Sequence, residues 1–366
     1  MDNRRLVLAL IGINVVASGT IGFVLLQQSG YLASHVEIGK GSLLAQFVPD
    51  SPNIADRRSP VLQEGHRLQV ISTHQVTSAV PSSERNKILF YEKGSGKVFE
   101  TMLDQPKENT VSNARLANFI KTVWSPSTKE VISEFSSGNR FRYFNYETKR
   151  VALFPTGTQS VAFAPDGNKV AYFRTQGEQG SLFIAQPDGS YATSILVSRI
   201  TDMALRWPEP ETITLETAQG TKEEKEVWTI TPEGSLTRIL ESKKELETLW
   251  SPSGEKLLYS ALDDQGQLKL FSKTKASLTE QELPTLSRAS QCAWSKGEVL
   301  VVCAVPQESG SNQFVEVNLE TMETTPIFSG GLNDPTISAT DLFFAPGEHY
   351  LIFRNSLDNL LYSLAL

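Results

Sequence analysis

At 366 residues, 40% of them hydrophobic and 20% charged, the chain has a globular composition and room for one large domain or two ordinary ones. Its formal charge of −7 excludes a broadly basic face of the kind that neutralises nucleic-acid phosphates, so no nucleic-acid partner is expected. The lysines at Lys222 and Lys225 are interleaved with Glu223, Glu224 and Glu226 and read as a solvated loop.

The chain opens on Met1 to Arg5, a short N-terminus carrying Arg4 and Arg5, followed by Leu6 to Leu26, which holds no charge over 21 residues. At about 1.5 Å per helical residue this run spans a bilayer core of roughly 30 Å, and the preceding arginines keep the N-terminus in the cytoplasm. A cleaved signal peptide is the rival reading. A cut after Ala17 would leave an apolar core of only about nine residues, short for that purpose, whereas the run continues to Leu26. An uncleaved single-pass anchor is therefore expected, with everything after Gln27 outside the cytoplasm. Residues 27–65 follow as a linker, broken by Pro49, Pro52, Pro60, Gly30, Gly39 and Gly41.

From His66 to Leu366 the chain repeats itself. WSPSTKEVISEF begins at Trp124, FAPDGNKVAYFR at Phe163, WSPSGEKLLYSA at Trp250, WSKGEVLVVCA at Trp294 and FAPGEHYLIFR at Phe344; a weaker copy, WPEPETITLET, begins at Trp207. Each unit is an aromatic that ends a strand, a turn built from Pro and Gly or Asp, and a second strand rich in β-branched and aromatic residues. Third and fourth strands follow, as in SLFIAQPDGS from Ser181 and TSILVS from Thr193. Four short strands per repeat make a propeller blade. The expected fold is all-β, a seven-bladed β-propeller preceded by one transmembrane helix, with six or eight blades as alternatives. The 301 residues of this region divide into seven units of 43, the first being a degenerate unit near Val80. RLQVIS, Arg67 to Ser72, has the alternation to supply the strand missing from the last unit and close the ring.

These aromatic-Ser/Ala-Pro-Asp/Ser-Gly units resemble the WD-like repeats of TolB-type propellers over about four-fifths of the chain. The resemblance implies the architecture only. TolB carries an extra α/β domain where this sequence has its apolar segment, so the TolB role is not implied.

The sequence offers no recognisable catalytic machinery. His35, His66, His74 and His349 are scattered without metal-ligand spacing, and no G-x-S-x-G elbow occurs. Gly94-Ser95-Gly96-Lys97 lacks the flanking Gly and Ser/Thr of a phosphate loop, having Tyr91 and Val98 there, and reads as a hairpin turn, as does Asp263 to Gly266. No cofactor, metal or enzymatic activity is expected. The repeat aromatics Trp124, Phe163, Trp207, Trp250, Trp294 and Phe344 are expected to pack between neighbouring blades rather than to form a sugar-binding ladder.

The expected function is a membrane-anchored, extracytoplasmic scaffold that binds a protein or glycan partner at the cell envelope. Partner binding is expected on the varied loops Ala218 to Lys225, Pro306 to Asn312 and Ser329 to Pro335, with Glu223, Glu224 and Asn333 as candidate contacts. The alternative is a channel-pocket enzyme or ligand sensor of the lactonase or quinoprotein type, which three or more charged side chains converging on the channel would put ahead of the scaffold. Inner strands such as TDMALRW, from Thr201, are mainly small and apolar and argue for the scaffold. Cys292 and Cys303 lie on two arms of one hairpin. If Trp294 opposes Val299, Cys292 opposes Val301, and the pair forms a disulfide only where a bulge brings the two into opposition; otherwise both are buried thiols.

Overall fold

The computed structural model describes residues 67–366 apart from 83–85, 219–223, 278 and 332–333. The expected spanning segment at 6–26 and the linker at 27–65 lie outside these residues. Among the described residues no helix is long and apolar enough to cross a membrane.

The described chain is an all-β propeller of seven four-stranded antiparallel sheets. A first strand, β1 (Leu68–Val70), is set apart from the blade that follows it. Blade 1 is β2 (Val76–Pro81), β3 (Lys87–Glu92), β4 (Val98–Met102) and β5 (Glu108–Ser112). Blade 2 is β6 (Phe119–Trp124), β7 (Glu130–Phe135), β8 (Phe141–Asn145) and β9 (Val151–Leu153). Blade 3 is β10 (Thr158–Phe163), β11 (Val170–Gln176), β12 (Gln179–Ala185) and β13 (Thr193–Ser198). Blade 4 is β14 (Met203–Glu209), β15 (Thr212–Ala218), β16 (Glu224–Ile230) and β17 (Leu236–Lys244). Blade 5 is β18 (Glu247–Trp250), β19 (Lys256–Leu262), β20 (Leu268–Thr274) and β21 (Gln281–Glu282). Blade 6 is β22 (Cys292–Trp294), β23 (Leu300–Pro306), β24 (Asn312–Asn318) and β25 (Thr324–Ser329). Blade 7 is β26 (Ala339–Phe344), β27 (Tyr350–Asn355) and β28 (Leu361–Ala365), completed by β1.

The ring closes where β1 pairs antiparallel with β28, Leu68 opposite Leu364 and Val70 opposite Tyr362. Ser72 Oγ accepts the Leu361 amide at 2.8 Å, so the first and last described strands share one sheet and no open edge is left at the join.

The turn between the first and second strands of each blade fixes the register. In blade 2 the Ser125 amide donates to Glu130 O and the Thr128 amide to Ser125 O, both at 2.9 Å. Blades 3, 5, 6 and 7 repeat the pair of bonds. The turn needs one left-handed residue, and Gly167 and Gly254 supply it at φ +75° and +77° without strain. Because this turn spans five residues, Trp294 faces Val301 and not Val299. The register expected from a tighter turn is thereby corrected: Cys292 lies directly opposite Cys303, with no bulge needed, and the two form a disulfide with Cα atoms 4.0 Å apart.

The anchor aromatics fill the seams. Phe163 packs with Ile132 and Phe141 of blade 2, Trp207 with Phe173 and Leu182 of blade 3, Trp250 with Val227 and Leu240 of blade 4, and Trp294 with Leu258 and Leu270 of blade 5. A buried ring of this size removes about 150–250 Å² from water, roughly 4–6 kcal/mol of gross hydrophobic stabilisation. Two of them also bond across the seam: Trp124 Nε1 donates to Ser78 O at 2.8 Å and Trp294 Nε1 to Leu249 O at 3.1 Å.

Candidate functional site

Strand alternation sets two faces in play. The turns between first and second strands lie at one end of the ring; the loops between second and third strands, and from each blade to the next, lie at the other. Arg67 precedes a fourth strand, so the chain enters the propeller on the turn face.

The turn face is tied together. Ser253 Oγ donates to the Glu298 carboxylate and Lys256 Nζ to Glu298 O, both at 2.8 Å, which joins blades 5 and 6. The Lys296 amide donates to Glu348, joining blade 6 to blade 7, and Lys275 pairs with Glu209 between blades 5 and 4. The loop face carries the two longest connections between described strands, 283–291 and 330–338, and is likewise tied between blades, Lys93 Nζ donating to Asn359 and Arg140 to Gln159. Glu224 is the first residue of β16, paired with Lys244, and its carboxylate accepts from Ser242 Oγ at 3.4 Å. It is thus a strand-end residue, because β15 and β16 stay paired out to Ala218 and Lys225. Glu223 and Asn333 lie outside the described residues. A 1130 Å³ groove on this face, at blade 3, is lined by Glu178, Gln179, Val197 and Arg199.

The channel wall comes from the first strands. Two residues before each anchor the side chain is buried in six blades, as at Thr122, Val161, Leu205, Thr248, Cys292 and Leu342. Its neighbours on either side therefore share the opposite face. Three residues before the anchors of blades 2 to 6 stand Lys121, Ser160, Ala204, Glu247 and Gln291; in blade 7 the strand bulges there, at Asp341. One residue before them the ring is Val80, Val123, Ala162, Leu249, Ala293 and Phe343, with Arg206 the single charged member.

Two cavities open along this wall. One of 410 Å³ is bordered by Leu249, Trp250, Trp294, Phe343 and Phe344. The other, 570 Å³, runs past blades 2, 3 and 4, and six charged residues border it: Lys121, Glu134, Arg140, Asp202, Arg206 and Glu216. Arg140 holds Glu134 through Nε at 2.9 Å and Nη2 at 2.7 Å. Glu216 accepts the Thr248 hydroxyl. Lys121 reaches Glu134 only at 3.7 Å and Arg206 reaches Glu216 only at 3.8 Å. Trp250 breaks the seam pattern: its indole N–H is buried without a partner, and the inner strand before it is irregular between Arg206 and Glu209.

A separate polar cluster sits beside the ring closure. His74 Nδ1 lies 2.7 Å from Glu108 Oε2, and Thr73 Oγ1 donates to the same carboxylate at 2.5 Å. The hydrogen bond to Glu108 raises the His74 pKa above its ordinary value, against the opposing effect of burial. Burial pushes the Glu108 carboxyl up, but the bonds from His74 and Thr73 outweigh it and leave it lowered. Among the described residues no group of three His, Cys, Asp or Glu is placed to hold a metal ion. The stretch from Lys93 to Lys97 is a hairpin turn between β3 and β4, and Asp263 to Gln267 another between β19 and β20.

No family model matches the sequence, and no curated protein matches it. Solved structures with the same fold do. An oligogalacturonate lyase in complex with manganese is similar at 13% identity and a TM-score of 0.59, over 82% of this chain and 93% of that one. The β-propeller domain of Cps50 (Swd1) from Myceliophteria thermophila is similar at 11% and 0.55, over 82% and 99%. U3-55K is similar at 14% and 0.53, over 82% and 98%. At these identities the likeness establishes the fold: this chain carries a seven-bladed β-propeller.

Proposed function

We propose that the chain is a non-enzymatic binding scaffold, a propeller held outside the cytoplasm by the segment at 6–26 and recognising an envelope protein or glycan through its loop face. The observation that supports this most is that the two longest connections between described strands, residues 283–291 and 330–338, both lie on the loop face. The turn face receives the incoming chain at Arg67 and is tied by Glu209, Glu298 and Glu348. Those two loops stand on a rigid frame at the other end, where recognition surfaces commonly lie. An oxidising compartment also suits the Cys292–Cys303 disulfide.

Six charged residues border the channel cavity, twice the number that was to put the channel reading first, and they support that reading as a ligand-binding pocket. They are weaker support for catalysis, since the acids Glu134 and Glu216 already accept hydrogen bonds from Arg140 and Thr248. Ser356, exposed on the loop face, reports on the topology. A Ser356→Cys variant, with Cys292 and Cys303 bonded, should react with a membrane-impermeant maleimide on intact cells, or on spheroplasts where an outer membrane is present. Labelling only after lysis would overturn the extracytoplasmic placement.

A further inference from the structure

The 570 Å³ channel cavity combines features that its neighbours lack. Its lower wall is apolar, built from Val123 and Ala162 and bounded by Trp124, Phe163 and Trp207. Its polar part holds three cations and three acids, so net field does not select a ligand there. Hydrogen-bonding capacity does. Glu134 accepts two bonds from Arg140, whose remaining nitrogen reaches Gln159 Oε1 at 2.5 Å. Glu216 accepts the Thr248 hydroxyl. Lys121 and Arg206 are different. Each is more than half exposed, at 60% and 57% of its side chain, and among the described residues each makes only a loose ion pair, at 3.7 Å and 3.8 Å, and no side-chain hydrogen bond. A guanidinium with five N–H groups and an ammonium with three therefore face one chamber with their donors uncommitted.

We propose that this chamber binds a small amphipathic anion, its carboxylate or sulfonate held between Lys121 and Arg206 and its apolar body laid against Val123, Ala162 and the aromatic seam. The two cations come from blades 2 and 4 and flank blade 3. There Ser160 faces the same chamber and its Oγ already accepts the Leu205 amide at 3.0 Å, which holds the inner strands of blades 3 and 4 together. Charge-assisted bonds on one side and ring faces on the other discriminate against both simple inorganic anions and neutral apolar molecules. This site is independent of the loop-face scaffold and stands or falls without it.

The test uses the full chain in lipid nanodiscs, with 1-naphthoate as probe, its neutral analogue 1-naphthamide as comparison, and empty discs as blank in equilibrium dialysis. Naphthoate should bind at least about tenfold more tightly than naphthamide. Arg206→Gln and Lys121→Gln should each weaken naphthoate about tenfold, the loss of one charge-assisted hydrogen bond, and leave naphthamide unchanged. Arg199→Gln, in the groove on the outer loops, should change nothing. Both channel variants replace exposed side chains, and a thermal melt matching the parent checks each fold; should one fail to fold, the other carries the comparison. Equal binding of acid and amide, full naphthoate binding in both channel variants, or a loss as large in Arg199→Gln would overturn the proposal.

Discussion

Leu68 lies in register with Leu364, so the first and last described strands complete a single blade. Ile71 and Ser72, just beyond, are almost fully buried, and the Ile71 amide donates to Leu361 O at 2.8 Å. Removing Arg67 to Ser72 exposes β28 as an edge and opens the seam between blades 7 and 1. The deletion should abolish the cooperative thermal transition or yield aggregate. A truncated chain that melts like the parent would mean the ring is held by its other six seams.

The disulfide makes a distinct demand. Cys292 and Cys303 are buried beside Trp294 and Val317 and close a short hairpin loop. Loop-closure entropy for such a span is worth about 2–3 kcal/mol. An unreduced digest should contain one cross-linked peptide pair, and the double Cys→Ala variant should unfold at lower urea by about that amount. Quantitative alkylation without reductant would contradict the bond.

Gly180 in β12 is the tightest backbone approach in blade 3. A Cβ there would meet Ile200 O and the Phe173 ring, neither of which can move without disturbing the seam to blade 4. Gly180→Ala should cost about 1–3 kcal/mol of overpacking in chemical denaturation. Gly266→Ala, in an open turn, meets nothing within 4 Å but is held at φ +73°, so its cost should come from backbone strain alone and be the smaller one.

The His74–Glu108 pair predicts a pH signature at the ring closure. His74 is raised, so its contribution is complete below its ordinary value of 6.5 and is lost as pH climbs through the folded value. Glu108 is lowered, so its contribution is complete above 4.5 and is lost as pH falls through its folded value. Glu92 reinforces the protonated imidazole and Lys97 opposes it. The stability difference between the parent and His74→Gln should therefore be largest between pH 4.5 and 6.5 and shrink towards pH 9. A difference independent of pH would remove the ion pair from the account.

Much of this was legible beforehand, and for a physical reason. A blade is a local object: an aromatic, a turn and alternating strands specify it within 43 or so residues, so Trp124, Phe163 and Trp250 announce the architecture. The cysteine register was legible only to within the length of one turn, since two residues more in Ser295 to Val299 move every partner along. The channel was harder. TDMALRW looks apolar as a string, yet Arg206 stands one residue before its anchor, the position that alternation turns to the channel. Its meaning depends on Lys121, two blades away, and on acids already bonded elsewhere. His74 and Glu108 likewise meet only after the ring closes.

The scaffold reading is tested most directly by comparing the two ends of the ring in cells. Full-length parent, a loop-face variant (Glu223→Lys, Glu224→Lys, Asn333→Trp) and a turn-face variant (Ser127→Lys, Asn168→Trp) would be cross-linked in intact cells, and the captured species identified by mass spectrometry. Ser253 is left unaltered because it bonds Glu298 across blades. The account predicts one envelope partner shared by the parent and the turn-face variant and lost from the loop-face variant, with thermal melts of all three alike. Retention by the loop-face variant and loss from the turn-face variant would contradict it.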